Sequence, residues 1–343
     1  MSAQFAQSTQ LTRAAAQPAT ATGLRHPSLT GQRGTRRVEF EPKYGGGRGG
    51  VEVSYLWHGA PDAPTVIVQG GISASRDVLT ADGAAAPGWW QALVGEGKAI
   101  DLQHCRVLSI DWLTPTELGH AGSVSSEDQA NALSALVDAL GIRRVAAFVG
   151  SSYGAMVALA FARLHPSQLD RLVLLAGAHR AHPIATALRS VQRGIVRLGQ
   201  SSGQLDEALG LARQLAMTTY RGSEEFARRF SAAPELRGER FHFPVEDYLE
   251  HQGRQFAGRF DAERFLALSE SIDLHDVLPE QIPTPATLIG FPSDRLVPLA
   301  DLCELQRRLA GPATLEVVES PYGHDAFLKE PALLAPLLRA ALS

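Results

Sequence analysis

Cysteine and lysine are scarce in this sequence, and each scarcity excludes something. The two cysteines, Cys105 and Cys303, lie far apart with no Cys-x-x-Cys spacing. They support neither a disulfide framework nor a zinc site, and they suit a reducing cytosol. Only three lysines occur, Lys43, Lys98 and Lys329, and a formal net charge of −4 lacks the basic excess of a nucleic-acid binder. The arginine bias reads as genome composition. No apolar run reaches the roughly 18 residues of a membrane span, so no membrane partner is expected. Acidic residues are missing from residues 1–37, which hold five arginines and many Ser, Thr and Ala. A transit peptide has that composition, but the segment lacks an amphipathic pattern, and the expectation is a disordered extension.

The rest of the chain has ordinary globular composition, 45% hydrophobic and 20% charged, and 343 residues can bury a large core. Short β-like runs alternate with helix-period segments: "VEVSYLWHG", "PTVIVQGG", a helix around "PGWWQALVG", then "CRVLSIDWL". The helix "SSEDQANALSALVDALG" has Ser125 or Ser126 as cap, acids in its first turn and Gly141 at its end. Continuous apolar strands alternating with helices predict an α/β fold, a mostly parallel sheet covered on both faces. The alternation stops near Pro183 and resumes near residue 275; between them only helical periodicity is found. The expected organisation is a core over 38–182, a helical lid over 183–274 and a second core segment over 275–343. Such an insertion would cover the sheet's C-terminal edge, where open α/β sheets bind ligands. "YGGGRGG" (44–50) precedes no helix and reads as a hairpin connection, not a phosphate loop.

Between the strand "RRVAAFVG" and the helix "SYGAMVALAFARLHP" stands Gly150-Ser151-Ser152-Tyr153-Gly154. Strand, G-x-S-x-G, helix is the nucleophile-elbow arrangement, which makes Ser152 the candidate nucleophile. The turn is tight enough that the residues two before and two after must lack side chains; Gly150 and Gly154 satisfy that around Ser152, whereas Ser151 has no such flanks. A serine hydroxyl needs a base, and the base needs an orienting carboxylate. The order Ser, acid, His is met by Asp294 after the strand in "LIGFPSD" and His324 after the strand in "VVESPYGHDAF". His179 and His182 lie beyond an earlier strand, read as surface or hinge residues, and lack the further ligands of a metal site. The expected oxyanion donors are the backbone N–H groups of Tyr153 and Gly71, typically worth about 3 kcal/mol each.

Several segments resemble the homoserine O-acyltransferase family: "PGWWQALVGEGKAID", "GSSYGAMVALAFARLHP", "LARQLAMTTYR", "FDAERFLALSESIDLHDV" and "YGHDAFL", in the family's order. The resemblance implies an α/β-hydrolase fold with a helical lid, a cytoplasmic homodimer, and acyl transfer from acyl-CoA to the hydroxyl of L-homoserine in methionine biosynthesis. It implies a ping-pong acyl-serine mechanism with Ser152, Asp294 and His324, and no permanently bound cofactor or metal. Arg213 and Asp325 match the family's amino-acid-binding residues, and Tyr220 matches a nearby tyrosine. The chemistry agrees: a zwitterion wants a cation for its carboxylate and an anion for its ammonium.

The sequence departs from the acetyl-transferring members in two places. It has Gly70-Gly71-Ile72-Ser73 where they read Ala-Leu-Thr-Gly, and Arg189 where they carry a small polar residue. A donor chain ending in a carboxylate would need a cation, preferably an arginine. That resembles the succinyl-transferring members, so succinyl-CoA is the expected donor, with Arg189 the first candidate for its carboxylate and Arg76 and Arg193 as alternatives. Homoserine O-acetyltransferase, a serine O-acyltransferase, an esterase and a non-catalytic relative of the same fold are the competing readings.

Overall fold

The computed structural model describes residues 31–45, 49–80 and 87–343. The chain opens with an antiparallel pair, β1 (Gln32–Phe40) and β2 (Gly49–His58), then β3 (Thr65–Gln69) and β4 (Arg106–Ile110). A single turn, α1 (Pro115–Leu118), leads to α2 (Ser126–Ala139), β5 (Val145–Ser151), α3 (Tyr153–Leu164) and β6 (Leu172–Leu175). Next come α4 (Pro183–Ser202), α5 (Leu205–Tyr220), α6 (Ser223–Arg229), the strands β7 (Glu235–Arg237) and β8 (Arg240–His242), α7 (Pro244–Ala257) and α8 (Ala262–Asp273). The chain then returns to β9 (Ala286–Gly290), α9 (Leu299–Arg308), β10 (Ala313–Val317), α10 (Ala326–Lys329) and α11 (Pro331–Leu342).

Eight strands form one sheet in the order β1-β2-β4-β3-β5-β6-β9-β10, parallel from β4 onward. The continuous apolar strands are explained by two buried faces. Ile67, Phe148 and Leu174 point into the core beneath α2 and α3, while their neighbours Val68, Val149 and Leu175 point into the core beneath α11. Each such side chain taken out of water contributes about 1.5–3 kcal/mol. Helix α3 is apolar all round because the fold encloses it: residues 153–162 are all buried. Ser125 caps α2, its Oγ accepting from Asp128 N–H, and Gly141 follows at φ +71°. The chain leaves β3 toward β4 on one side and returns to β5 on the other, so the sheet's switch point lies between the ends of β3 and β5.

Four expectations need correction. The extension expected through residue 37 overlaps β1, which pairs with β2 from Gln32 onward; residues 1–30 lie outside the described residues. Its arginines hid the strand, yet an edge strand tolerates them because only Val38 and Phe40 face the core. The "PGWWQALVG" segment forms successive turns, not a regular helix. Trp90 donates its indole N–H to the Phe327 carbonyl (2.9 Å), and Gly95 at φ +145° turns the chain so that Val94 bridges Ile100. The helical stretch after residue 183 contains the exposed hairpin β7–β8. The C-terminal helix is broken between α10 and α11 because Glu330 precedes Pro331 and leaves the helical region. The connection at 44–50 does join an antiparallel pair, though residues 46–48 lie outside the described residues.

Helices α4, α5, α7 and α8 pack on a small core of their own, including Val196, Leu209, Phe256 and Phe265. Among the described residues, no helix is long and apolar enough to cross a membrane.

Candidate functional site

Ser152 sits at φ +54°, ψ −119° between β5 and α3, and its N–H donates to the Leu175 carbonyl (2.9 Å). A side chain there is strained, typically by 1–3 kcal/mol, and persists only where surroundings over-determine it. Both flanking glycines are required. A Cβ on Gly150 would lie 2.3 Å from the Gly154 carbonyl oxygen, and one on Gly154 would lie 2.2 Å from that of Gln69.

The Ser152 hydroxyl lies 2.8 Å from Nε2 of His324, and Nδ1 of His324 lies 2.7 Å from Oδ2 of Asp294. The other Asp294 oxygen accepts the N–H groups of Leu296 (2.8 Å) and Val297 (3.1 Å). A carboxylate only accepts, so it dictates the tautomer: Nδ1 carries the proton and Nε2 is free to receive one from Ser152. Burial works to lower the pKa of His324, but the Asp294 charge and hydrogen bond, with a smaller push from Asp325, outweigh it and hold the imidazole above its ordinary value. Parallel strands explain the assembly, since Ser152, Asp294 and His324 each follow a strand end on one sheet edge.

Gly71 lies beside the serine; a Cβ there would fall 3.8 Å from Ser152 Oγ. The preceding carbonyl, of Gly70, accepts the Gly154 N–H (2.9 Å), which holds the peptide plane carrying the Gly71 N–H. The Gly71 carbonyl is held in turn by Ala74 N–H and the Trp112 indole N–H, both at 3.0 Å. Tyr153 opens α3, so its N–H is one of the helix's unpaired first-turn donors. Its ring packs edge-on against Trp112, centroids 4.9 Å apart, and its hydroxyl bonds Ser271 (2.6 Å).

These groups open into a cavity of about 480 Å³ that Arg213, Tyr220, Arg189 and Asp325 also line. Arg213 stacks over Tyr220 (5.2 Å) and Phe256 (4.9 Å) and makes no ion pair among the described residues. Asp325 pairs with Arg221, 3.2 Å from Nε. Burial raises the pKa of Asp325, and Arg221, His324 and Arg213 work against that rise.

The Arg189 guanidinium is not the free cation that the sequence suggests. Its Nε and Nη2 both donate to Oδ1 of Asp273, at 2.8 and 2.6 Å, while Arg193 takes the other oxygen at 2.6 Å and also donates to Ser269. The trio keeps one net positive charge, and Arg189 is the member lining the cavity. Arg76 pairs with Asp111 (3.5 Å) and does not itself line the cavity, although its neighbours Ser75 and Asp77 do. His179 is not a surface residue: it is 2% exposed and packs against Arg308 and Glu304, while His182 lines the cavity just before α4. Sequence reasoning missed Asp273, Arg221 and Trp112; only Trp112 gave a local signal, a tryptophan just after a strand whose N–H needs a partner. No cluster of three or more His, Cys, Asp or Glu that could hold a metal occurs among the described residues.

The α/β-hydrolase family model matches residues 64–331. A homoserine O-succinyltransferase of Xanthomonas campestris pv. campestris is 45% identical over 85% of this chain and 79% of its own length. An L-serine/homoserine O-acetyltransferase of Streptomyces lavendulae is 32% identical over 84% of this chain and 91% of its own. The chain belongs to the homoserine O-acyltransferase family of α/β hydrolases. In keeping with that fold, it superposes on the homoserine O-acetyltransferase structure from Bacillus anthracis with a TM-score of 0.82 at 17% identity, covering 92% of this chain and 98% of that one.

Proposed function

We propose that this protein transfers a succinyl group from succinyl-CoA to the hydroxyl of L-homoserine through an acyl-serine intermediate. The observation that carries the reading is the hydrogen-bonded line Ser152–His324–Asp294, opening into a cavity that also holds a carboxylate and an arginine without an ion pair among the described residues. The 45% identity to a protein named homoserine O-succinyltransferase supports the substrates.

In this reading His324 Nε2 takes the Ser152 proton as Oγ attacks the thioester carbonyl. The N–H groups of Gly71 and Tyr153 receive the oxyanion. Collapse expels the CoA thiolate, which takes the proton back from His324 and leaves the succinyl ester on Ser152. Homoserine then binds with its carboxylate on Arg213, beside Tyr220, and its ammonium on Asp325. Its hydroxyl gives a proton to His324 and attacks the ester, and the proton returns to Ser152 as the product departs. Asp294 holds the imidazolium in both halves.

Arg189 is the proposed partner of the succinyl carboxylate, through the charge that Asp273 leaves uncompensated. Acetyl transfer is the second reading, favoured by one observation: Asp273 already occupies two of the Arg189 donors. Mass spectrometry after succinyl-CoA alone should show the adduct on Ser152, discharged by homoserine. Faster turnover with acetyl-CoA would end the succinyl assignment. Arg189→Gln should harm succinyl transfer selectively, and equal loss with both donors would remove Arg189 from donor selection.

A further inference from the structure

The end of α5 and the loop carrying His324 meet backbone to backbone. A Cβ on Gly222 would lie 2.1 Å from the Pro321 carbonyl oxygen, and one on Gly323 would lie 2.8 Å from the Gly222 nitrogen. Gly323 also sits at φ +60°. Only glycine allows both the approach and the turn. Beside this contact the chain places a cation on one side and an anion on the other: Arg221 Nε and Asp325 Oδ2, 3.2 Å apart, with side chains only 11% and 14% exposed. Nη1 of Arg221 lies 3.4 Å from both oxygens of Glu225, and Glu225 also takes Arg229 at 3.0 Å. Charges therefore alternate from the surface to the cavity: Arg229, Glu225, Arg221, Asp325.

We propose that Arg221 is a positioning residue for the acceptor: its ion pair keeps the Asp325 carboxylate ionised and oriented to receive the ammonium group of an α-amino acid. This rests on the reading of Asp325 given above. A carboxylate so enclosed would otherwise shed its charge, because burial disfavours the ionised form. The groups facing it are Arg221, Arg213 and Tyr220 from α5 and its end, His324 from its own loop and Lys329 from α10. Arg213 is committed to the acceptor carboxylate, His324 changes charge during the reaction, and Lys329 is exposed, hence screened. Tyr220 brings no positive charge. Arg221 is the permanent cation in contact, and Glu225 holds its guanidinium in place.

The two half-reactions separate this role from a general structural one. Stopped-flow release of CoA without acceptor reads acylation, and discharge of the acyl-enzyme by homoserine reads Asp325. In Arg221→Gln the loss should concentrate in discharge. The homoserine KM should rise about tenfold at about pH 6, with much of the deficit recovered at about pH 8.5, and the acid limb of kcat/KM for homoserine should move up by about one pH unit. Arg221→Lys, which keeps the charge but cannot bridge both carboxylates, should fall between. Equal loss in both half-reactions, a pH-independent loss in discharge, or an unshifted limb would overturn the proposal. If the unmodified enzyme's acyl adduct resists homoserine at every pH, the acceptor assignment fails first; normal discharge with an unshifted Arg221→Gln profile rejects this inference alone.

Discussion

The sheet edge and the helical segment over 183–273 contribute to the same cavity by different physics. At the sheet edge, position is set by backbone: two glycines without room for a Cβ, a strained serine, and strand ends that deliver Asp294 and His324 to one rim. In the helical segment, position is set by side-chain contacts: Arg189 and Arg193 share Asp273, Arg221 bridges Glu225 and Asp325, and Arg213 stacks on Tyr220 and Phe256. The first arrangement suits reacting groups, which must hold their geometry within tenths of an ångström. The second suits recognition, because exchanging one charged side chain re-tunes the cavity without disturbing the elbow.

The sharpest way to break this division is at the sheet edge. Ser152→Ala should lower acyl transfer by a factor on the order of 10⁴ or more, with no acyl adduct by mass spectrometry and an unchanged unfolding midpoint. Substantial residual turnover would move the reaction centre elsewhere. Asp294→Asn should cost about 10⁴-fold in kcat and also change the pH profile. In the proposed mechanism transfer needs neutral His324, so activity should rise as pH climbs through its raised pKa. Without the Asp294 charge, burial prevails and the half-maximal pH should drop; a profile displaced upward would contradict that electrostatic account.

On the recognition side, Arg213→Met should reduce kcat/KM for homoserine by roughly 2 kcal/mol, about thirtyfold, as expected for one lost charge-assisted contact. Acylation by succinyl-CoA should change far less, and an equal loss there would blur the two regions. The smallest effects separate them by stability in urea. Gly154→Ala drives a methyl into the Gln69 carbonyl and should cost about 1–3 kcal/mol. Gly194→Ala, exposed in α4 with open space around its Cβ, should stabilise by up to about 1 kcal/mol.

The line Ser152–His324–Asp294 was legible because each member follows a strand end, and apolar runs show where strands end. Other features had no such marker. Asp273 is one acid among many in a charged helical stretch, and nothing local reveals that two arginines some eighty residues earlier converge on it. Arg221 reads as a solvated helix end until its contact with Asp325 is seen. The turns at 87–100 mimic helical periodicity, but a carbonyl from Phe327 fixes Trp90 and decides their path. Strand β1 was hidden by its own arginines, because edge pairing depends on backbone, not on apolar pattern.

By itself the sequence determined the elbow, the chain order of its partners and the mostly parallel character of the sheet. Those follow from sterics and burial between near neighbours, where a missing Cβ or an unbroken apolar run carries its consequence locally. The tertiary structure alone decided which charges meet. Coulomb and hydrogen-bond energies depend on distances of a few ångströms in space, and chain separation does not encode them.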